Sequence, residues 1–318
     1  MDNTTALTFI MTAYSAMENY KHWMFCVFLL LYVITVFLNV LLITVIHQNK
    51  KLHQPMNVFS CALSLNELYG STALLPTIMA LLLSQTYEMT VRWCMMQVFF
   101  LHTYAAAELC ILAVMGYDRY IAICKPLHYH GLMSNSRAAM ISALAAVYPM
   151  LVFGSFFSLT VQISICGNEL HKLYCVNMEL VKNSCSSFSY ISNVGLLLLL
   201  ILVVPQPVMI VFSYVRILKV CRKLSRESQR NALKTCLPHL LSLLNYTIGS
   251  TFEILQTRFN TTHVPIEARI FLSLYFLVTP PIVNPVLYGL GTKLVRDHIL
   301  KLFIRYKVLT TLIAKALV

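Results

Sequence analysis

Long apolar stretches of this chain hold not a single Lys, Arg, Asp or Glu, among them 24–46, 138–166, 196–215 and 270–292. Three more are nearly as apolar. Residues 56–84 hold Glu67, residues 95–117 hold His102 and Glu108, and residues 235–257 hold His239 and Glu253. A helix rises 1.5 Å per residue and a bilayer's hydrocarbon core is about 30 Å thick, so about twenty apolar residues are the length of one crossing. Inside lipid the backbone must satisfy its own hydrogen bonds, which leaves helices or closed barrels. The runs are continuous and lack the ten-residue alternation of barrel strands, so the barrel is excluded. Pro76, Pro149, Pro205, Pro207 and Pro285 lie within these runs, where membrane helices carry proline as kinks. The expected fold is an all-α membrane protein, a seven-transmembrane helix bundle forming one domain over 1–318. Its spans are expected at about 24–47, 56–84, 95–120, 138–163, 190–216, 235–257 and 268–290.

Charge sets the orientation. Only 11% of residues are charged, against about 25% in soluble domains, yet the net charge is +12. With the amino terminus outside, six basic residues (Lys21, Arg92, Lys172, Lys182, Arg258, Arg269) face out and the other eighteen face in. Positive residues favour the cytoplasmic side, so the carboxyl terminus is expected inside. The basic balance follows from this rule, and a lipid surface rather than nucleic acid is the expected partner. The first twenty residues lack a signal-peptide signature, so the first span is expected to serve as the insertion signal. The sequons at Asn3 and Asn260 fall on the outer side, where glycosylation occurs. Four cysteines (Cys94, Cys166, Cys175, Cys185) also face the oxidising side, where disulfides persist. They allow three pairings, and spacing does not choose among them. Among the ten cysteines there is no Cys-x-x-Cys, and the chain has no His-Glu-x-x-His and no phosphate-cradling glycine loop. An enzyme, or a zinc site, is therefore not expected.

Residues 115–129 read Met-Gly-Tyr-Asp-Arg-Tyr-Ile-Ala-Ile-Cys-Lys-Pro-Leu-His-Tyr and close the third span at its inner end. Pro55-Met56-Asn57 opens the second span and Ser213-Tyr214-Val215-Arg216-Ile217-Leu218 closes the fifth. Lys234-Thr235-Cys236-Leu237-Pro238-His239-Leu240 opens the sixth, and Asn284-Pro285-Val286-Leu287-Tyr288 closes the seventh. In this order the motifs resemble the vertebrate odorant receptors, a branch of the rhodopsin-like G-protein-coupled receptors. The resemblance covers essentially the whole chain. The wording of 63–69 and of Pro238-His239 is closer to fish-type receptors. There are departures: the fourth span has Tyr148 near where many rhodopsin-like receptors carry Trp, and no Gly precedes Asn39 in the usual way.

The resemblance implies an odorant receptor that activates a stimulatory heterotrimeric G protein and raises cAMP, with its location in the plasma membrane of olfactory cilia. It brings with it the pairing Cys94–Cys175 and Cys166–Cys185. It assigns a switch to Asp118, Arg119, Tyr120, Tyr214, Asn284, Pro285 and Tyr288. His239 either joins that switch or bonds locally. An isolated intramembrane Arg needs a partner, and Asp118 is adjacent. Glu67 and Glu108 each lie near mid-span, where a carboxylate is costly unless paired, hydrated or protonated. With Asn39 and Asn284 they are expected to share a proton, hold Na⁺, or form a purely structural knot.

The odorant is expected in the outer half of the bundle, among Leu101, His102, Ala105, Ala106, Leu198, Leu199, Leu202, Ser250, Ile254 and Leu277, with Asn177 in a lid. Leu101 stands where amine receptors carry Asp, which disfavours a simple amine. His102 could orient an acid, an alcohol or a carbonyl. Glu253 reaches water or pairs with Arg258, and a cationic ligand there is the less favoured alternative. After Tyr288, apolar and basic residues alternate in a pattern expected for a short amphipathic surface helix at about 292–305. Two rival functions remain: a rhodopsin-like receptor outside olfaction, and a transporter or proton relay using Glu67 and Glu108. Transporters usually carry internal repeats, and no repeat is visible.

Overall fold

In the computed structural model, residues 8–185, 189–223, 225–258, 264–291 and 294–301 are described. The chain is a bundle of helices: α1 (Lys21–Gln48), α2 (Pro55–Leu83), α3 (Val91–Cys124), α4 (Tyr129–Leu132), α5 (Asn135–Val161), α6 (Asn177–Lys182), α7 (Ser189–Val203), α8 (Pro205–Cys221), α9 (Arg226–Arg258), α10 (Ile266–Val278) and α11 (Pro280–Gly291). Residues 294–301 are helical as well. Among the described residues, four stretches are long and apolar enough to cross a membrane: Thr12–Gln48, Val91–Cys124, Asn135–Val161 and Ala268–Gly289.

α3 is the axis of the bundle. It packs on α2, α5, α7, α8 and α9, while α11 closes the ring against α1, α2 and α9. Its buried side includes Val98, Tyr104, Ile111, Leu112 and Met115, each at most 1% exposed. Outward from the bundle stand Leu30, Val33 and Phe37 on α1, Leu144 and Leu151 on α5, and Val208 and Val211 on α8, all exposed. A soluble protein would not leave such apolar patches in water. A multi-pass membrane protein presents them to lipid.

Two expected spans are interrupted. The run 190–216 divides at Val204 into α7 and α8, and the run 268–290 divides at Thr279 into α10 and α11. Pro205 and Pro280 begin the second piece in each case, because proline has no N–H to continue the ladder. Pro76, Pro149, Pro238 and Pro285 sit inside helices without ending them. α9 starts nine residues before position 235, because the polar segment from Arg226 is itself helical, with Glu227 in its first turn.

A three-stranded sheet is the element that the apolar runs did not announce. β1 (Thr8–Met11) pairs antiparallel with β2 (Glu88–Thr90), placing Phe9 opposite Met89, and parallel with β3 (Glu169–Leu170). Its side chains alternate, so Phe9 and Met11 are buried. Beyond it Tyr14 stacks on Tyr87 and donates its hydroxyl to Leu173 O at 2.7 Å. Burial pushes the Tyr14 phenol well above its ordinary pKa. The amino-terminal segment is thereby sewn to the loop that follows α5.

Candidate functional site

A cavity of about 220 Å³ opens between α3, α5, α6, α7, α9 and α10. It lies below the typical 300–1,000 Å³ of drug-sized sites and has room for a small molecule only. Seven of the residues expected to bind ligand line it: His102, Ala105, Ala106, Asn177, Leu198, Ser250 and Ile254. Leu101 and Leu277 do not. Both are packed in the core, because each lies about 100° round its helix from the neighbour that faces the cavity. Leu199 and Leu202 belong to the backbone of α7, and their side chains are outside those described. Sequence reading missed Leu109, Phe153, Phe156, Val176, Met178, Gly195, Tyr246 and Phe276 as lining residues, and weighed Glu253 only as a less favoured contact for a cationic ligand. His102 stacks on Phe153 with centroids 4.8 Å apart, inside a cluster with Phe99, Phe156 and Phe157.

Two disulfides shape the loop that follows α5. Cys94–Cys175 ties the start of α3 to it, and Cys166–Cys185 closes it on itself. The N–H of Cys175 donates to Gln97 Oε1 at 2.9 Å, which fixes the approach to α6 and brings Asn177 to the cavity. Lys172 of the same loop donates to Glu253 Oε1 at 3.1 Å. Ser273 donates to Glu253 Oε2 at 2.7 Å. Lys172 is thus a partner of Glu253, because the loop folds down over the helix ends; the side chain of Arg258 lies outside those described. Tyr174 is buried on the same loop, and burial followed by the nearby Glu253 carboxylate raises its pKa.

At mid-bundle, Glu67 and Glu108 are fully buried and face a common partner. Asn284 Nδ2 donates to Glu67 Oε1 at 2.6 Å and to Glu108 Oε1 at 2.8 Å. Tyr104 OH donates to Glu67 Oε2 at 2.9 Å, and Asn66 Nδ2 to Glu108 Oε2 at 2.9 Å. Gly70 makes room for this arrangement, since a Cβ there would lie 2.7 Å from Tyr104 Cε2. Asn39 is not part of the knot. Its Nδ2 donates to Thr35 O and Pro281 O, so it braces α1 against α11. Among the described residues no Lys or Arg pairs with either carboxyl.

The carboxyl-terminal end of α3 holds the ion pair Asp118–Arg119 at 2.5 Å, with Asp118 fully buried. Tyr129 OH donates to Asp118 Oδ1 at 2.9 Å, and burial together with that carboxylate raises the phenol's pKa. His239 bridges three helices. Its Nε2 lies 2.7 Å from Leu112 O, a pure acceptor, so Nε2 carries the hydrogen. Nδ1 then accepts from Tyr214 OH at 2.6 Å. Gly116 leaves the space, with a Cβ there meeting His239 Cε1 at 3.2 Å. Tyr120 packs on Phe212, and Tyr288 is buried without a hydrogen bond to Arg119 or Tyr214. Pro285 follows Asn284 inside α11. Asn3 and Asn260 lie outside the described residues.

Comparison with known proteins gives one consistent result. The sequence model of a family described as olfactory receptor matches residues 28–306. Olfactory receptor 52D1 of Homo sapiens is 32% identical over 303 residues, covering 95% of each chain. Olfactory receptor 51E2 of Homo sapiens is 30% identical, covering 95% of this chain and 94% of its own.

Proposed function

Since the chain belongs to the olfactory receptor family, and is an odorant receptor rather than an enzyme, we propose that an odorant in the outer cavity drives coupling to a stimulatory heterotrimeric G protein and raises cAMP. The observation that carries this reading is the continuity of α3. The helix lines the cavity with His102, Ala105 and Ala106, holds Glu108 in the buried knot, and ends on the Asp118–Arg119 pair. A ligand shifts the population of states by its differential affinity for them, and α3 is the element that both ends share. In the resting bundle Arg119 is held by Asp118. Tyr214 and His239 tie α8 and α9 to α3 beside it, so releasing α9 exposes Arg119 to the G protein.

In this reading the chain is one domain of seven spans, with α7–α8 and α10–α11 each serving as one span. The amino terminus faces out, the carboxyl terminus faces in, and the helix around 294–301 lies on the inner membrane surface. Its lysines and arginines, with those between α8 and α9, meet anionic headgroups at about 1 kcal/mol each. Asn3 and Asn260 carry the glycans, and the working location is the membrane of olfactory cilia. Glu67 and Glu108 share one proton. Every one of their four oxygens has a donor already, and the proton removes the repulsion of two carboxylates on one amide. The knot also fits Na⁺, since its ligands are all oxygen and Asn284 Oδ1 is buried without a partner. A bound ion would supply the same single positive charge.

The test is cAMP accumulation in transfected cells exposed to an odorant panel, with surface labelling of each variant. Odour-evoked cAMP that Arg119→Ala abolishes at equal surface level is expected. An undiminished response in Arg119→Ala, or ligand-dependent current without G protein, would overturn the coupling.

A further inference from the structure

The cavity's polar lining is unbalanced. Among the described residues, five polar side chains reach it: His102, Asn177, Tyr246, Ser250 and Glu253. Four of them have no hydrogen left to give. His102 Nδ1 lies 2.9 Å from Val98 O, which can only accept, so in the neutral ring Nε2 is bare. Tyr246 donates its hydroxyl to Ala105 O. Ser250 donates to Tyr246 O at 2.8 Å, one turn back on its own helix. Glu253, in its ion pair with Lys172, offers only lone pairs. Lys172 and Ser273 occupy one site on each of its oxygens, and a carboxylate has about four. Asn177 alone can present either end of an amide.

We propose that this cavity takes a small apolar molecule ending in an O–H or N–H donor, an alcohol or a primary amine, and discriminates against ketones, ethers and carboxylates of the same size. The proposal rests on the odorant-receptor reading and narrows it. A donor satisfies bare acceptors that would otherwise be sealed from water by the bound ligand, and an acceptor leaves them unpaired. Sites that hydrogen-bond their ligand reject the analogue lacking the bond far more strongly than apolar pockets reject a changed carbon. A carboxylate would also face the Glu253 charge, whose cation is already engaged. The absence of an acid at position 101 therefore does not exclude amines, because Glu253 supplies the carboxylate from α9.

The experiment uses the full chain purified into lipid nanodiscs and four six-carbon or near-isosteric probes: 1-hexanol, hexylamine, 2-hexanone and methyl pentyl ether. Thermal unfolding is recorded against concentration, since a ligand that binds only the folded state raises Tm by mass action. Hexanol, hexylamine or both are expected to bind at least about tenfold more tightly than the ketone and the ether, as a missing hydrogen bond in such a site implies. Ala106→Trp fills the cavity and removes the shift, which separates cavity binding from an effect on the bilayer. The double variant Lys172→Gln/Glu253→Gln replaces the ion pair by two neutral amides and brings N–H donors to the wall, so the ketone gains on the alcohol. A ketone or ether equal to hexanol in the unaltered chain, no shift with either donor, or a shift that survives Ala106→Trp would overturn the proposal. Stabilisation by donors with no cAMP response would leave it standing and overturn the coupling instead.

Discussion

Replacing Gly249 by alanine is the sharpest test of how α9 meets α10. A Cβ on Gly249 would stand 2.9 Å from Phe276 Cα and closer still to Phe276 Cβ. Carbon atoms rest about 3.5–4.0 Å apart. The obstacle is backbone and side-chain stem, which cannot rotate away, so the two helices must part by more than about half an ångström. Overpacking of this kind costs about 1–3 kcal/mol, and a clash with backbone belongs at the upper end. Alanine returns up to about 1 kcal/mol of helix propensity, which leaves a net loss near 2 kcal/mol. Gly154 is the control. It also lies inside a helix, but a Cβ there meets only Phe99 Cε2 at an ordinary 3.6 Å. Gly154→Ala should therefore gain up to about 1 kcal/mol. At about 2–4 °C per kcal/mol the two variants should differ by about 6 °C or more in thermal unfolding of the purified receptor. Phe276 lines the cavity, so Gly249→Ala should also change its relative affinities for long and short probes. Equal Tm values for the two variants would refute the close approach of α9 to α10.

Three other outcomes are expected. Lys172→Met strands Glu253, and because the pair is 11% and 9% exposed the cost falls near the lower end of the about 3–5 kcal/mol for a broken buried pair; Lys172→Met/Glu253→Leu should recover most of it, and a double variant less stable than either single one contradicts this reading. Chain entropy gives the Cys94–Cys175 loop of 81 residues about 4.5 kcal/mol and the Cys166–Cys185 loop of 19 about 3 kcal/mol, so Cys166→Ser/Cys185→Ser should unfold at the higher temperature of the two double-serine variants. If Glu67 and Glu108 share a proton, Glu108→Gln should cost no more than about 1 kcal/mol while Glu108→Ala costs about 2–3 kcal/mol for the donors it leaves unpaired; a Tm that depends on Na⁺ in place of choline at constant ionic strength would favour the ion.

The helices were legible because their signal is local. Apolar runs and the length of a crossing are properties of consecutive residues, and so are the motifs that close α3 and α11. The ion pair that ends α3 was legible for the same reason, Asp118 and Arg119 being neighbours in the chain. The cavity was legible only in part, since a face can be read from helical spacing but its exact direction cannot. That is why His102, Ala105 and Ala106 line it while Leu101, one residue away, does not. Least legible were the contacts fixed by the outer loop. Nothing in a six-residue neighbourhood tells that Lys172 reaches Glu253, or that Thr8–Met11 pairs with Glu88–Thr90.

These illegible contacts share a physical cause with the site's selectivity. Inside lipid a helix's backbone donors are spent on its own ladder, so the chemistry of a buried cavity is left to side chains. On this chain those side chains spend their hydrogens on nearby backbone carbonyls: His102 on Val98, Ser250 on Tyr246, Tyr246 on Ala105. Two of these bonds run back one turn of the same helix and one crosses from α9 to α3. Each satisfies a donor at no cost to packing, and each turns a side chain that could both give and take into one that only takes. The Lys172–Glu253 pair completes the bias, because it sets a carboxylate at the wall while its ammonium stays out of the lining. The cavity's preference is thus a by-product of how the bundle satisfies itself. A variant that frees one donor, such as His102→Gln with its amide hydrogens, should widen the ligands accepted before it weakens the fold.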